Sequence, residues 1–263
     1  MGLIGSIRSV SIVPTSARSW TACGIAALAL VTLLLPAVGE GGFSPWRQIL
    51  AYILVLACVG LLFHGFLLAW ENLSTRTVLA LGAGAAALGF PAALLASPEA
   101  LAKGPAMLSL FALLLANALR LLAACALALA LARHVTSAGV ALLIAGVATV
   151  SDLFSVFAGP TRALIRKDSP ALDFLLLVFP TFGQPAGFAL GISDFIFLAL
   201  FAATSRFLNL YYTLTIMAGL CTTLLTMVCG LILDRPLPAL PFISLSFVIV
   251  NLSPLLAYLR GSR

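Results

Sequence analysis

The sequence predicts an all-α, multi-pass membrane protein of about eight transmembrane helices, with room for a ninth. Composition and patterning predict it: of 263 residues, 62% are hydrophobic and 8% charged, and the apolar residues fall in long unbroken runs. A soluble domain carries about 25% charged residues, whereas mean hydropathy here is +1.19. In a bilayer every backbone polar group must be satisfied internally, which leaves helices or closed barrels. Continuous runs, in place of alternating segments of about ten residues, select helices.

Residues 1–19 are polar to mixed, carry Arg8 and Arg18, and read as a short flexible or interfacial lead. Eight runs follow: Trp20–Val38, Ile49–Trp70, Val78–Ala96, Met107–Ala132, Val140–Phe157, Ala186–Ala203, Tyr211–Leu233 and Ala239–Leu259. Each is near the roughly 17–25 residues that a spanning helix needs. The first is too long for the apolar stretch of a signal peptide and counts as a helix. Short breaker-rich loops separate the runs ("GEGGFSPWRQ", "ENLSTRT", "SPEALAKGPA", "RHVTSAG"). The exception is Ala158–Pro185, whose Arg162, Arg166 and Lys167 form the densest basic cluster and place this loop on the cytoplasmic side. Within it, "LDFLLLVFP" is too short to span, and Pro170 and Pro180 bound it, so a strand or re-entrant piece is expected. Eight spans would put the basic N-terminus outside, which either a ninth helix or a weak charge bias would explain. The chain divides into 1–139, four scaffold and substrate-access spans, and 140–263, which holds the intramembrane carboxylates.

The net charge of +6 is modest and scattered. Basic residues in such a chain mark loops and lipid headgroup contact, so the bilayer is the expected partner and nucleic acid is not. Cys23, Cys58, Cys125, Cys221 and Cys229 lie inside apolar runs without metal-ligand spacing and read as small hydrophobes.

Six of the eight acids lie in loops or at helix ends. Asp152, about two-thirds along the fifth run, and Asp194, near the middle of the sixth, do not. An ionised Asp at a helix centre costs roughly 2.5–3.5 kcal/mol on insertion scales, and such residues are usually functional. The two runs are consecutive, so they can pack antiparallel with both carboxyls at similar depth. Two carboxyls that close cannot easily both ionise, so the pair shares a proton. One carboxylate can then take a proton from water while the other, protonated, polarises a scissile carbonyl. Location alone also admits a cation or proton site in a channel or transporter, or hydrogen bonding between helices.

Three segments, in order, resemble the presenilin and signal peptide peptidase family of intramembrane aspartyl proteases. "SDLFSVFAGPTRALI" (151–165) is similar to the family's first catalytic helix, and "LGISDFIFLALF" (190–201) to its L-G-x-G-D-F-I-F segment. "LPALPFISLSF" (237–247) carries the P-A-L tripeptide as Pro238, Ala239 and Leu240. "AGLCTTLL" (218–225) resembles the helix before that tripeptide, and "LLLVFP" the strand before the second catalytic helix. The likeness covers residues 140–255.

The resemblance implies a presenilin-like helix bundle in which Asp152 and Asp194 form the catalytic dyad. Pro238, Ala239 and Leu240 would shape the active-site floor, with Gly191 and Ser193 beside the substrate. It also implies that a transmembrane-helix substrate unwinds near the cut and pairs as a strand, with "LDFLLLVFP" as the natural edge. Hydrolysis would use water, with no cofactor and no metal. Two positions depart from the pattern: Ser151 stands for the family's tyrosine, and Ser193 for its glycine. Ser193 is still small, and its hydroxyl can donate to Asp194. The short loops resemble prokaryotic members, and so imply a prokaryotic cell membrane; the oligomeric state stays open. The alternative is a polytopic channel or transporter, or an inactive presenilin-like protein, using the aspartates as a cation or proton site.

Arg120, with Asn117 on the same helical face, reads as a polar contact between helices or a snorkelling side chain before it reads as a partner of the carboxylates. His64 is single within its run, and no H-E-x-x-H or G-x-S-x-G element accompanies it. "LALGAGAAALG" (79–89) offers small residues for close helix packing. Asn72 and Asn251 match the glycosylation pattern without weight.

Overall fold

The computed structural model describes residues 15–37, 44–95, 106–158, 175–233 and 237–261. The first four helices are α1 (Thr15–Ala37), α2 (Pro45–Trp70), α3 (Thr75–Leu95) and α4 (Ala106–Ala132). Then come α5 (Ala138–Phe157), a hairpin of β1 (Leu176–Thr181) and β2 (Gln184–Gly191), α6 (Ile192–Phe207), α7 (Tyr212–Leu233), α8 (Leu240–Val250) and α9 (Leu252–Leu259). The basic cluster Arg162, Arg166 and Lys167 lies outside the described residues.

Among the described residues, five helices are long and apolar enough to cross a membrane: α1, α2, α4, α5 and α7. The count becomes six if α8 and α9, bent by 70° at their junction, form one span. The helical membrane architecture is therefore as expected, whereas two of the eight expected runs stand outside this set. One is α3, rich in Gly and Ala and carrying Arg76 in its first turn. The other is the sixth run, Ala186–Ala203, which is not one helix. Its first part is strand β2, and only from Ile192 does it coil into the 16-residue α6.

Local chemistry explains these boundaries. Pro45 opens α2, where its missing N–H would be unpaired in any case. At α5, Ser137 caps by accepting from Val140 N at 3.3 Å. Helix α6 stops before Asn209, which takes a left-handed φ of 51° that Asn tolerates well. The hairpin turns through Phe182–Gly183, where φ of 74° at Gly183 suits a residue without Cβ. Gly183 N also donates to Leu35 O at 3.1 Å, tying the turn to the end of α1.

The α8–α9 bend centres on Asn251, which is fully buried. Its Oδ1 accepts from Tyr211 N at 2.9 Å, and its Nδ2 donates to Thr215 Oγ1 at 2.8 Å and Phe247 O at 2.9 Å. Asn251 is thus a structural staple between α7 and the last span. The small residues of α3 do pack closely, with Gly82 against the Ala126 side chain and Gly89 beside Leu119 on α4. Cys58 and Cys125 are buried, Cys23 and Cys221 exposed, and Cys229 is half-buried. A continuous apolar core runs from Leu28 to Leu255 and joins both halves of the chain.

One end of the bundle carries a polar layer. Arg206, at the end of α6, pairs with Glu71 at 2.7 Å. Arg133 closes the α2–α3 turn, donating to Leu73 O at 2.6 Å and Thr75 Oγ1 at 3.0 Å. At 1.5 Å per residue, Asp194 lies about 18 Å along α6 from Arg206, and Asp152 about 22 Å along α5 from Ser137. The two carboxylates thus lie at comparable distances along their helices from these two residues.

Candidate active site

Asp152 projects from the last two turns of α5, and its Oδ2 accepts a hydrogen bond from Leu240 N at 3.0 Å. That donor exists because Leu240 is the first residue of α8, where main-chain N–H groups have no partner inside the helix. Its neighbour Pro241 brings no N–H, and the Ala239 carbonyl already accepts from Phe242 N and Ile243 N. The P-A-L tripeptide meets Asp152 through the backbone at its third residue, with Pro238, Ala239 and Leu240 all buried.

Asp194 occupies the first turn of α6, not the middle of a long helix, as the unbroken run suggests. Strand β2 delivers the chain into that turn, and Gly191 is the N-cap, in extended conformation at φ −65° and ψ 132°. A Cβ on Gly191 would lie 3.2 Å from Asp194 Oδ2 and 3.3 Å from Ser193 Oγ. Glycine thus relieves crowding of the Asp194 carboxyl and is not called for by backbone conformation. Ser193 is exposed and makes no hydrogen bond to Asp194 in this structure.

Helix α8 packs against both α5, which carries Asp152, and α6, which carries Asp194, and so links the two carboxylate-bearing helices, whose acids stand 42 positions apart in the chain. Both sit at helix N-termini, α8's for Asp152 and α6's own for Asp194, where unpaired N–H groups concentrate. Both are half-buried. Leu142, Leu143, Gly146, Val147, Val150, Ser151 and Phe154 line an open groove of about 650 Å³ along the outer face of α5. Asp152 continues the opposite, buried stripe of Ala141, Ala145 and Ala148 and does not line that groove. Val150, 66% exposed, and Phe154, 63%, stand on the groove side.

The hairpin has two unlike edges. β1 and β2 run antiparallel, with Leu177 opposite Leu190 and Phe179 opposite Phe188, and a bulge lies between Phe179 and Thr181. On the far side of β1, Arg120 Nη1 donates to Leu176 O at 2.6 Å and Asn117 Nδ2 donates to Val178 O. Pro180, next along that edge, has no N–H to offer. Alternation along a strand puts the main-chain groups of Leu176, Val178 and Pro180 on one side and those of Leu177 and Phe179 on the other. The outer edge of "LDFLLLVFP" is therefore occupied, and the edge left open belongs to β2, at exposed Ala189 and at Gly191.

Of the residues singled out in the sequence, the fold places Asp152 against Leu240, and Gly191 and Ser193 beside Asp194. Residue reasoning did not find β2 or the role of the Leu240 amide. The signal for β2 was present in Gly183, Pro185, Gly187 and Gly191, breakers too dense for a helix. His64, by contrast, lies elsewhere, with Nδ1 3.0 Å from the Tyr212 hydroxyl. Compared with protein-family models and with curated proteins, the chain matches none.

Proposed function

We propose that this protein is an intramembrane aspartyl protease of the presenilin-like type, hydrolysing peptide bonds within or near transmembrane helices of membrane-protein substrates. The observation that carries the reading is that the start of α8 ties to both carboxylate-bearing helices: Leu240 N holds Asp152 at 3.0 Å, and α8 packs against α6, which carries Asp194. A cation site would call for several oxygen ligands around one point. A carboxyl held by a main-chain amide, with a second carboxyl at the end of a hairpin whose one strand edge is open, instead suits a polypeptide backbone.

In this reading the β2–α6 unit and α3 complete the eight crossings, and the membrane is that of a prokaryotic cell. One carboxylate of the dyad takes a proton from water, and the other, protonated, polarises the scissile carbonyl. Water is the co-substrate and no cofactor enters. Non-helical backbone at membrane depth is tolerated where it lines a wet cavity. The substrate helix unwinds at the dyad and adds a strand to the open edge of β2. Main-chain pairing at Ala189 and Gly191 would then hold the scissile bond beside Asp194.

The test is reconstitution in liposomes with a single-span test substrate, comparing wild type, Asp152→Ala and Asp194→Ala. Wild type should release two fragments, and each variant none. Cleavage that survives either substitution ends the dyad reading. An ion flux that depends on both aspartates, with no proteolysis, would point to transport.

A further inference from the structure

Asn117 and Arg120 sit near the middle of the 27-residue α4, on one face of it. An Arg at such depth costs about 2.5–3.5 kcal/mol on insertion scales. Asn117 is 1% exposed, and its Oδ1 has no hydrogen-bond partner among the described residues, itself a cost of about 1–3 kcal/mol. A helix that served only to pack would carry Leu or Ala at both places. Their side chains instead reach alternate carbonyls of one strand, Leu176 O and Val178 O.

We infer that Asn117 and Arg120 are positioning residues: a two-point clamp on the outer edge of β1 that fixes the hairpin, and through it Asp194, and reserves β2 as the only edge a substrate strand can join. The inference rests on the protease reading. Three features carry it. The clamp satisfies carbonyls that would otherwise lie unpaired in an apolar medium, each at a cost of several kcal/mol. Together with Pro180 it closes the edge against strand addition, as covered or proline-bearing edges do elsewhere. And β1 is paired directly with the stretch of β2 that becomes the N-cap of α6, so Leu176 lies opposite Gly191, three residues before Asp194.

Specificity follows from the asymmetry. An unclamped hairpin presents two edges, and a substrate strand on β1 would lie three strand-widths, about 14 Å, from its place on β2. It would also admit slipped registers. Clamping therefore governs where the cut falls as well as how fast.

The experiment uses the full chain in lipid nanodiscs, with Asn117→Leu, Arg120→Met and Arg120→Lys. Leu is close in shape to Asn and removes the unpaired Oδ1 along with the bond, which offsets part of the cost of freeing Val178 O, so Asn117→Leu should keep its helices folded. Hydrogen exchange of the 176–191 segment should quicken at least 10-fold in Asn117→Leu and Arg120→Met, with other helices unchanged. Fragment masses should spread over neighbouring bonds, and kcat should fall more than KM rises. Arg120→Lys, which keeps one donor, should recover part of both. Unchanged exchange overturns the clamp. Faster exchange with an unaltered cut site and kcat overturns the positioning role. A wild type that cleaves nothing refutes the protease reading instead, and the exchange result then decides the clamp by itself.

Discussion

Gly191→Ala should separate activity from stability. The backbone at this position, φ −65° and ψ 132°, suits alanine as well as glycine, and a compatible Gly→Ala change stabilises by about 0.4–1 kcal/mol through the unfolded chain. The new methyl, however, would stand 3.2 Å from Asp194 Oδ2 and 3.3 Å from Ser193 Oγ. A carbon–oxygen contact relaxes to about 3.5–3.7 Å, the near end of the carbon–carbon range, so the carboxyl must give way by roughly 0.3–0.5 Å. A displacement of about 1 Å can cost about 100-fold in rate. Scaled to the smaller shift, kcat should fall about 4- to 10-fold, or roughly 1 kcal/mol of barrier. Cleavage rates in liposomes and thermal unfolding in detergent, measured on the same preparations, supply both halves. Cleavage at the wild-type rate would refute the crowding argument. Activity lost in step with folding would refute the claim that glycine is there for space.

Asp152→Asn should abolish cleavage while keeping stability, because the Asn carbonyl can still accept from Leu240 N. Asp152→Leu should also be inactive but less stable by about 1–3 kcal/mol, with that amide left unpaired; equal unfolding midpoints for the two would argue against the bond. Asn251→Leu removes three hydrogen bonds at the 70° bend and orphans Tyr211 N. Intramembrane side-chain bonds average about 0.6 kcal/mol, and an unpaired buried donor adds about 1–3 kcal/mol, so the loss should reach about 2–4 kcal/mol. Steric-trapping or denaturant unfolding measures it, and a variant as stable as wild type would remove Asn251 from that role.

Much of this architecture is legible from the chain alone because the bilayer is a severe filter. Long apolar runs have few options, so α1, α2, α4, α5 and α7 fall close to their expected places. Charged residues inside those runs are costly enough that Asp152, Asp194 and Arg120 attract notice without any structure. The short stretch before Pro180 was already too brief to span, and it is a strand. The tail of the same loop was harder to read. Run Ala186–Ala203 is uniformly apolar, and hydropathy does not distinguish a buried strand from a buried helix. The change of conformation at Gly191 depends on pairing with β1, a partner that composition does not reveal.

What the sequence by itself determined is the solvent of the fold, most of its helices, and the identity of the two intramembrane carboxylates. Only the tertiary structure decided that Asp194 opens a helix, that Asp152 is held by a main-chain amide at Leu240, and that Asn117 and Arg120 grip one edge of the hairpin so that the other stays open. The reason is physical. Burial and charge are properties of each residue and can be summed along the chain. An unpaired N–H at a helix start or an open strand edge is instead a property of backbone geometry, the same for every residue type, and takes its meaning from whatever the fold brings next to it.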